Sequence, residues 1–252
     1  MKNITTLGIL GGLGPMSGIY FCEMLTEHTS ADCDREHINF LLSSRADTPD
    51  RTAFILGRSS DDPSSVMISE AAKLIAAGAE LLAIPCNTAH YFYESISAAA
   101  DVPVINIIEQ TTDFCVSQGI SRIGVLATEG TVVSGAYERA CRRAGIEYIT
   151  PTPDDQAIIS HIIYNEIKRG RTPDIEAFRA VSERLLDRGA ERLILGCTEL
   201  SLLKKNFDLG DKYIDSLEVL AYAAIRLCGK EPRGFDSALM SFEPKLSTPQ
   251  YL

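Results

Sequence analysis

The sequence predicts an α/β protein made of two similar subdomains, each a parallel β-sheet flanked by helices. Short β-rich runs alternate along the chain with stretches of helical spacing, which is typical of βαβ units. Some of these runs, such as residues 81–85, are apolar throughout, as strands buried on both faces of a parallel sheet are. The second half of the chain also repeats the pattern of the first.

The composition is that of a globular protein whose main partner is neither nucleic acid nor a membrane. Of the 252 residues, 45% are hydrophobic and 23% are charged, which allows a buried core and excludes a disordered or collagen-like chain. The formal net charge of −10 repels nucleic-acid phosphates and anionic lipids. No apolar run reaches the roughly 18 residues of a membrane span, and the first residues do not resemble a signal peptide. We therefore expect a cytoplasmic protein.

The seven cysteines are an odd number, lie far apart and include no C-x-x-C pair. This pattern favours neither a disulfide framework nor a zinc site, so we expect free thiols and no bound metal. Five of the cysteines have no paired setting and are interpreted as structural: Cys22, Cys33, Cys115, Cys141 and Cys228. The other two, Cys86 and Cys197, each follow a predicted strand.

The first half of the chain begins with a βα unit. A strand at residues 6–10 ends in a glycine turn at residues 11–15, and apolar residues at helical spacing follow over residues 17–29. The turn lacks the G-x-G-x-x-G spacing of a dinucleotide site, but its backbone can approach a small ligand closely. The remaining elements of this half are a strand at 38–43, a polar loop at 44–51, a helix at 66–77 that ends before Gly78, and apolar strands at 81–85 and 104–108.

The second half repeats the alternation of strands and helices. After Gly119 the pattern predicts a strand at 123–126, a loop at 128–134, a helix at 137–144 and a strand at 147–149. It then predicts helices at 157–168 and 175–188, a strand at 192–195, and a helix at 217–227 that is apolar enough to pack on a sheet.

The two halves align without a gap around Cys86 and Cys197. The segment GAELLAIPCNT at residues 78–88 matches GAERLILGCTE at residues 189–199. The opening strand ITTLGIL at residues 4–10 likewise matches ISRIGVL at residues 120–126. We infer two structurally similar halves related by a pseudo-two-fold axis, with a cleft between them.

Each of the two matched cysteines is placed where active sites form, because ligands of parallel α/β sheets bind beyond the carboxyl ends of the strands. A helix that starts after the strand also favours a thiolate. Two thiols on opposite sides of a cleft suit the inversion of a carbon acid: one thiolate removes a proton from one face, and the other thiol returns a proton to the opposite face.

Five motifs carry a resemblance to a known family: GILGGLGP at residues 8–15, TPDRTAFILG at 48–57, PCNTAH at 85–90, LATEGT at 126–131 and GCTEL at 196–200. With these motifs the chain resembles the cofactor-independent aspartate/glutamate racemase family, and most of all its aspartate racemase branch. The resemblance extends from about residue 4 to residue 228.

The resemblance implies that Cys86 and Cys197 are the two acid/base catalysts and that no pyridoxal phosphate or other cofactor takes part. It implies that Arg51 and Lys168 hold the carboxylates of a small anionic amino acid, an interaction for which guanidinium geometry is well suited. Further substrate contacts are implied for polar residues at matching positions: Asn87, Thr88, Thr128, Thr131 and Thr198. The resemblance also implies a homodimer.

One departure bears on the substrate. The glutamate racemase branch usually has a histidine after its second Cys-Thr, and this chain has Glu199 there. We therefore expect interconversion of L- and D-aspartate. Racemisation of glutamate or of many amino acids remains an alternative, as do the maleate isomerase, hydantoin racemase and malonate decarboxylase activities of related two-cysteine proteins.

Two alternatives belong to other functional classes. In a redox dithiol, Cys86 and Cys197 would form a reversible disulfide, and a catalytically silent protein would bind an amino acid without exchanging its α-proton. The nearby His90 could share a helical face with Cys86, but we interpret it as a hydrogen-bonded structural histidine.

The expected lobes are residues 1–102 together with 213–229, and residues 103–212. The tail at residues 230–252 has no helical or strand period, contains three prolines and lies outside the repeat. It is expected either to be flexible or to pack across a subunit boundary.

Overall fold

The computed structural model describes residues 4–246. Within them the strands are β1 (Thr6–Gly11), β2 (Asn39–Ser44), β3 (Leu81–Ala83), β4 (Val104–Ile105), β5 (Arg122–Leu126), β6 (Glu147–Ile149), β7 (Arg192–Leu195) and β8 (Tyr213–Asp215). They form two parallel four-stranded sheets, in the order β2-β1-β3-β4 and β6-β5-β7-β8. The repeated strand order is the α/β fold with two similar parallel sheets that the sequence predicts.

Helices cover both sheets. They are α1 (Pro15–Glu27), α2 (Arg51–Ile55), α3 (Ser64–Ala76), α4 (Tyr93–Ala99), α5 (Ile107–Ser117), α6 (Glu129–Val133), α7 (Ala136–Ala144), α8 (Pro153–His161), α9 (Ile175–Asp187), α10 (Thr198–Asn206), α11 (Ser216–Leu227) and α12 (Ser237–Met240). Short 3₁₀ turns span Asp34–Glu36, Thr88–Phe92 and Ile167–Arg169, and a π-helical turn spans Ile162–Glu166. Within residues 4–246 no helix is long and apolar enough to cross a membrane.

The internal repeat extends to how each central strand packs. A Cβ added to Gly8 on β1 would lie 2.6 Å from Leu82 Cδ2, and one added to Gly124 on β5 would lie 2.6 Å from Leu193 Cδ2. Each glycine therefore leaves room for a leucine of the neighbouring strand. Gly8 and Gly124, like Leu82 and Leu193, are matched positions in the aligned sequences.

Two short strands lie on the other side of the expected lobe boundaries. Val104–Ile105 pairs with β3 in the first sheet, although the boundary was expected after residue 102. Tyr213–Asp215 pairs with β7 in the second sheet, although the first lobe was expected to resume at residue 213. In both sheets the fourth strand is therefore an edge strand. In the chain it is followed directly by a long helix, α5 after β4 and α11 after β8. These two helices pack against each other.

The helix starts at α5 and α11 depend on polar caps. The Asn106 side chain accepts hydrogen bonds from the Ile108 and Glu109 amides, and Asp215 accepts one from the Leu217 amide. Such a side-chain oxygen satisfies amides that have no partner inside the helix. The cap at Asn106 explains why residues 106–108, predicted as strand, instead leave the sheet and begin a helix.

The tail packs on the same chain as far as residue 246. The Tyr222 hydroxyl donates a hydrogen bond of 2.8 Å to the Phe242 carbonyl, and the Phe242 ring meets Phe114 edge to face, with ring centres 5.6 Å apart. Gln110 Nε2 donates to the Lys245 carbonyl at 2.5 Å. This part of the tail therefore covers α5 and α11, and residues 247–252 lie outside the described range.

Candidate active site

A small cavity lies between the two halves of the chain, beyond the carboxyl ends of β3 and β7. Of the nine residues that the sequence predicts at the site, eight line this cavity: Arg51, Cys86, Asn87, Thr88, Thr128, Lys168, Cys197 and Thr198. The ninth, Thr131, lies just behind the wall, where its hydroxyl is 2.9 Å from that of Thr88. The fold thus brings together residues from five separate stretches of the sequence.

Cys86 lies in the loop that follows β3 and is 6% exposed. Its carbonyl oxygen is 2.8 Å from His90 Nδ1, and His90 Nε2 accepts a hydrogen bond of 3.1 Å from the Ile107 amide. The imidazole therefore carries its proton on Nδ1. Burial lowers the pKa of His90, so the ring is neutral. His90 is the hydrogen-bonded structural histidine that the sequence predicts, and it fixes the backbone at Cys86.

Cys197 is the N-cap residue of α10 and is 4% exposed. Its Sγ donates a hydrogen bond of 3.0 Å to Glu199 Oε2. Burial raises the pKa of Cys197 well above its ordinary value, and the Glu199 carboxylate raises the pKa further. Cys197 is consequently held as a thiol.

Lys168 and Glu199 form an ion pair inside the cavity, with Nζ 3.2 Å from Oε1. Burial lowers the pKa of Lys168, but the Glu199 carboxylate opposes this effect, and the pKa lies above its ordinary value. The glycine turn makes room for this pair, because a side chain on Gly14 would collide with Glu199 Oε1. Lys168 therefore enters the site as a cation that already has one carboxylate partner.

Arg51 is the first residue of α2 and is 7% exposed. Its Nη1 donates to the Thr48 and Pro49 carbonyls at 3.2 and 3.0 Å, and its Nη2 donates to the Leu13 carbonyl at 2.8 Å. Its Nε is buried and has no hydrogen-bond partner. The guanidinium is thus held by three hydrogen bonds to backbone oxygens and keeps an unpartnered Nε, in a cavity wall that the glycine turn helps to build through Leu13.

Three threonine hydroxyls form a closed triangle at one side of the cavity. Thr88 Oγ1 lies 2.9 Å from both Thr128 Oγ1 and Thr131 Oγ1, and these two are 3.0 Å apart. Thr128 Oγ1 also accepts a hydrogen bond from the Thr131 amide, which caps α6. A hydroxyl both donates and accepts, so the triangle can turn a donor toward a ligand oxygen.

The polar side chains after the two cysteines are tied to the protein. Asn87 Oδ1 accepts from the Tyr137 hydroxyl at 2.8 Å, and Asn87 Nδ2 donates to Ser216 Oγ at 2.9 Å. Thr198 Oγ1 donates a hydrogen bond of 3.2 Å to the Pro85 carbonyl, and this bond connects the two cysteine loops. These contacts position the cysteine loops.

Tyr164 and Thr52 also line the cavity, and neither is predicted as a site residue from the sequence. The Tyr164 hydroxyl donates a hydrogen bond of 2.7 Å to Thr52 Oγ1, which joins the two halves, and Lys168 Nζ lies 5.1 Å from the centre of the Tyr164 ring. Tyr164 belongs to the π-helical turn Ile162–Glu166, inside the predicted helix at 157–168. A π-turn has no sequence period of its own, so nothing in the sequence sets this tyrosine apart.

The arrangement offers two thiols, a guanidinium and an ammonium around a small closed space. Cys86 and Cys197 are both free. Buried cations of this kind bind carboxylates, and thiols on strand ends can take or give protons. Among residues 4–246 no group of three or more His, Cys, Asp or Glu side chains is placed to hold a metal ion.

The chain matches a known protein family over most of its length. The family model described as Asp/Glu/Hydantoin racemase matches residues 10–224. The broad specificity amino-acid racemase RacX of Bacillus subtilis strain 168 is 27% identical over 225 residues, which cover 87% of this chain and 96% of that protein. The glutamate racemase of Aquifex aeolicus is 34% identical over 152 residues, which cover 57% of each protein, so the match spans little more than half of that enzyme.

The structure of Picrophilus torridus aspartate racemase superposes with a TM-score of 0.78 at 27% sequence identity, covering 91% of this chain and 96% of that one. The family match includes Cys86 and Cys197 and all the residues that line the cavity. The chain therefore belongs to the Asp/Glu/hydantoin racemase family of isomerases.

Proposed function

We propose that this racemase interconverts L- and D-aspartate with Cys86 and Cys197 as its two acid/base residues. The observation that carries the proposal is that two cysteines at matched positions of an internal repeat, both free, line one closed cavity together with Arg51 and Lys168. A repeat of this kind presents its two strand ends to the cleft from opposite sides, as inversion of a carbon centre requires.

In the proposed reaction one cysteine removes the α-proton and the other protonates the opposite face of Cα. The electron pair of the broken C–H bond is delocalised into the α-carboxylate, and the new C–H bond forms from the second S–H bond. The reverse reaction exchanges the two roles. Because L- and D-aspartate have equal free energies, the enzyme needs two groups of similar effectiveness and not one fixed acid and one fixed base.

Arg51 and Lys168 are the proposed partners of the two substrate carboxylates. Arg51 has one unused buried donor, Nε, and its charge lies in the cavity wall. A cation beside the α-carboxylate stabilises the charge that develops there as the α-proton leaves. The triangle of Thr88, Thr128 and Thr131 supplies hydroxyl donors, whereas Asn87 and Thr198 contribute by holding the cysteine loops.

Aspartate is favoured over glutamate by two observations. The cavity is small, and the hydrogen bond between Tyr164 and Thr52 lies in its wall, so the shorter side chain of aspartate is easier to accommodate. The superposition on an aspartate racemase also has a higher TM-score, 0.78, than the 0.64 of a glutamate racemase structure that covers a similar share of this chain. The second candidate is a racemase of broad specificity, which the full-length similarity to RacX favours.

Proton exchange in D₂O tests the proposal. The purified protein is incubated with L-aspartate without pyridoxal phosphate, loss of the α-proton is followed by NMR, and the product is resolved by chiral chromatography. We expect exchange to accompany formation of D-aspartate. A panel with glutamate and neutral amino acids separates the two candidates, since comparable rates on the panel support broad specificity. Binding without exchange would contradict both, and so would turnover of maleate or a malonate without any racemisation.

We propose a homodimer as the active form. Met16 and Ile19 on α1 are 61% and 51% exposed, and Leu42 on the neighbouring edge strand β2 is 37% exposed, so large apolar side chains face solvent on this side of the chain. Apolar surface of this kind supports association. Light scattering coupled to size-exclusion chromatography is expected to give twice the mass of the 27.5 kDa chain, and a monomer at micromolar concentration would contradict the proposal.

We propose that the protein acts in the cytoplasm. All seven cysteines are free in the structure, and a reducing compartment preserves thiols. Fractionation of the source cells with an antibody to the chain tests this, and recovery outside the cytoplasmic fraction would contradict it.

A further inference from the structure

We propose that Glu199 is the terminal proton acceptor and donor for Cys197, so that Cys197 passes a proton between Cα and Glu199 and remains a thiol in both resting forms of the enzyme. This inference rests on the proposed two-cysteine function and assigns a third acid/base residue to it. The direct observation is the hydrogen bond of 3.0 Å from Cys197 Sγ to Glu199 Oε2. Because Glu199 contacts the sulfur that would react, it belongs to the catalytic machinery.

Burial makes a free Cys197 thiolate unfavourable. The thiol is 4% exposed, and its hydrogen bond is made to a carboxylate that carries the same charge as a thiolate would. Two anions at 3 Å in a closed cavity repel each other strongly. Burial and the Glu199 carboxylate raise the pKa of Cys197, which reflects the same unfavourable free energy of forming the thiolate. Cys197 can act as a base at low cost only if its own proton moves away as the substrate proton arrives.

Glu199 is placed to take that proton. As Cys197 attacks, the S–H bond breaks and its proton forms an O–H bond with Glu199 Oε2, while the sulfur lone pair takes the α-proton and the C–H electron pair stays on the substrate. Cys86 gives its proton to the opposite face of Cα and becomes a thiolate. The substrate has then lost one proton and gained one, and on the protein one proton has moved from Cys86 to Glu199.

Lys168 balances the charge in both resting forms. Its Nζ is 3.2 Å from Glu199 Oε1, and the Glu199 carboxylate raises the pKa of Lys168. In one form Lys168 neutralises the Glu199 carboxylate beside a Cys86 thiol. In the other it neutralises the Cys86 thiolate beside a protonated Glu199. The net charge of these groups is therefore zero before and after each turnover, which avoids a buried unpaired charge.

Elimination of chloride from threo-3-chloroaspartate distinguishes the contributions of the two cysteines, because this reaction needs only one base. The base takes the α-proton, the C–Cl bond breaks, chloride leaves with the electron pair, and water hydrolyses the resulting enamine to oxaloacetate and ammonia. Chloride release is measured for both configurations at Cα. The Cys86→Ala and Cys197→Ala variants show which configuration each cysteine deprotonates.

The decisive variant is Glu199→Gln, which keeps the side-chain shape but cannot accept a proton. We expect it to reproduce the Cys197→Ala pattern: elimination from the configuration served by Cys197 falls by about 100-fold or more, and elimination from the configuration served by Cys86 is retained. Racemisation of aspartate falls equally in both directions, because their kcat/KM values are tied by an equilibrium constant of one.

Glu218→Gln is the matched control. It breaks another glutamate–lysine pair, with Lys204 Nζ 2.6 Å from Glu218 Oε2. Neither residue lines the cavity, so the variant is expected to leave both eliminations unchanged. Equal loss of both eliminations in Glu199→Gln would show that Glu199 only shapes or binds, and unchanged eliminations would show that it takes no part; either result overturns the inference. A wild-type protein that neither racemises aspartate nor eliminates chloride would instead overturn the proposed function.

Discussion

The Tyr137 hydroxyl donates a hydrogen bond of 2.8 Å to Asn87 Oδ1, and this contact joins helix α7 of the second half to the loop that carries Cys86 in the first. Asn87 Nδ2 continues the connection to Ser216 Oγ at the start of α11. Tyr137 has no exposed surface, and Asn87 is 2% exposed. Asn87 therefore acts as a buried connector that sets where Cys86 lies relative to the opposite half.

Replacement of Tyr137 by phenylalanine tests this connection. The change leaves Asn87 Oδ1 buried without its donor, so we expect the free energy of unfolding to fall by about 1 to 3 kcal/mol. The measurement is urea unfolding followed by circular dichroism. Tyr91, which is 47% exposed, gives the matched control, and Tyr91→Phe is expected to change stability by less than about 0.5 kcal/mol. Equal effects of the two substitutions would contradict the connecting role.

A double-mutant cycle tests the closure of the cavity by Tyr164 and Thr52. Their hydrogen bond of 2.7 Å crosses between the halves, and a bond of this kind contributes about 0.5 to 1.5 kcal/mol net. Tyr164→Phe and Thr52→Val are each expected to lower kcat/KM for aspartate by about 2- to 12-fold, which is that energy as a rate ratio. The double variant should be no worse than the poorer single variant. Fully additive losses would show that the two side chains act independently.

Gly14→Ala tests the position of Glu199. Gly14 has an extended backbone that alanine can adopt, but the new methyl group would collide with Glu199 Oε1. We expect aspartate racemisation to fall at least about 10-fold, since a small misplacement of a catalytic group is costly. Gly18→Ala, one turn along α1, meets its nearest atom at an ordinary 3.6 Å and is expected to keep activity. If Gly14→Ala were as active as Gly18→Ala, the geometry around Glu199 would not matter to catalysis.

The dependence of stability on pH is expected to reflect Glu218. Burial, then the nearby Asp215 carboxylate, raises the pKa of Glu218 from 4.5 to about 7, against the attraction of Lys204. The folded protein thus binds more protons than the unfolded chain between these values, so this contribution is fully present below pH 4.5 and is lost as the pH rises through 7. The change is at most about 3 kcal/mol. Chemical unfolding at several pH values should show a smaller fall in the free energy of unfolding for Glu218→Gln than for the wild-type protein as the pH rises. Identical pH profiles for the two proteins would contradict the assignment.

The sequence predicts well what depends on local pattern. The strands Glu147–Ile149 and Arg192–Leu195 have the predicted bounds, and the repeat of the first half in the second is confirmed by the two sheets of equal strand order. Matched strand ends also led correctly to one cavity that holds Cys86 and Cys197. Periodicity and repetition suffice for these features because they reflect burial along one element.

What the sequence missed depends on contacts between distant segments. The Tyr164–Thr52 hydrogen bond joins residues far apart in sequence, and Tyr164 is placed by a π-helical turn. Asn87 and Thr198 line the cavity, but the sequence does not show that their side chains also bond to Ser216 Oγ and to the Pro85 carbonyl. Residue type alone does not show whether a buried polar atom already has a partner, since that depends on the assembled fold.

Single replacement of the two cysteines measures the central claim most directly. Racemisation of L-aspartate is followed by chiral chromatography for Cys86→Ser, Cys197→Ser and the control Cys115→Ser, whose thiol is fully buried in α5 away from the cavity. The two-base account predicts that Cys86→Ser and Cys197→Ser each lose activity by at least about 100-fold, while Cys115→Ser keeps it. Racemisation at the wild-type rate by either of the first two variants would contradict the account.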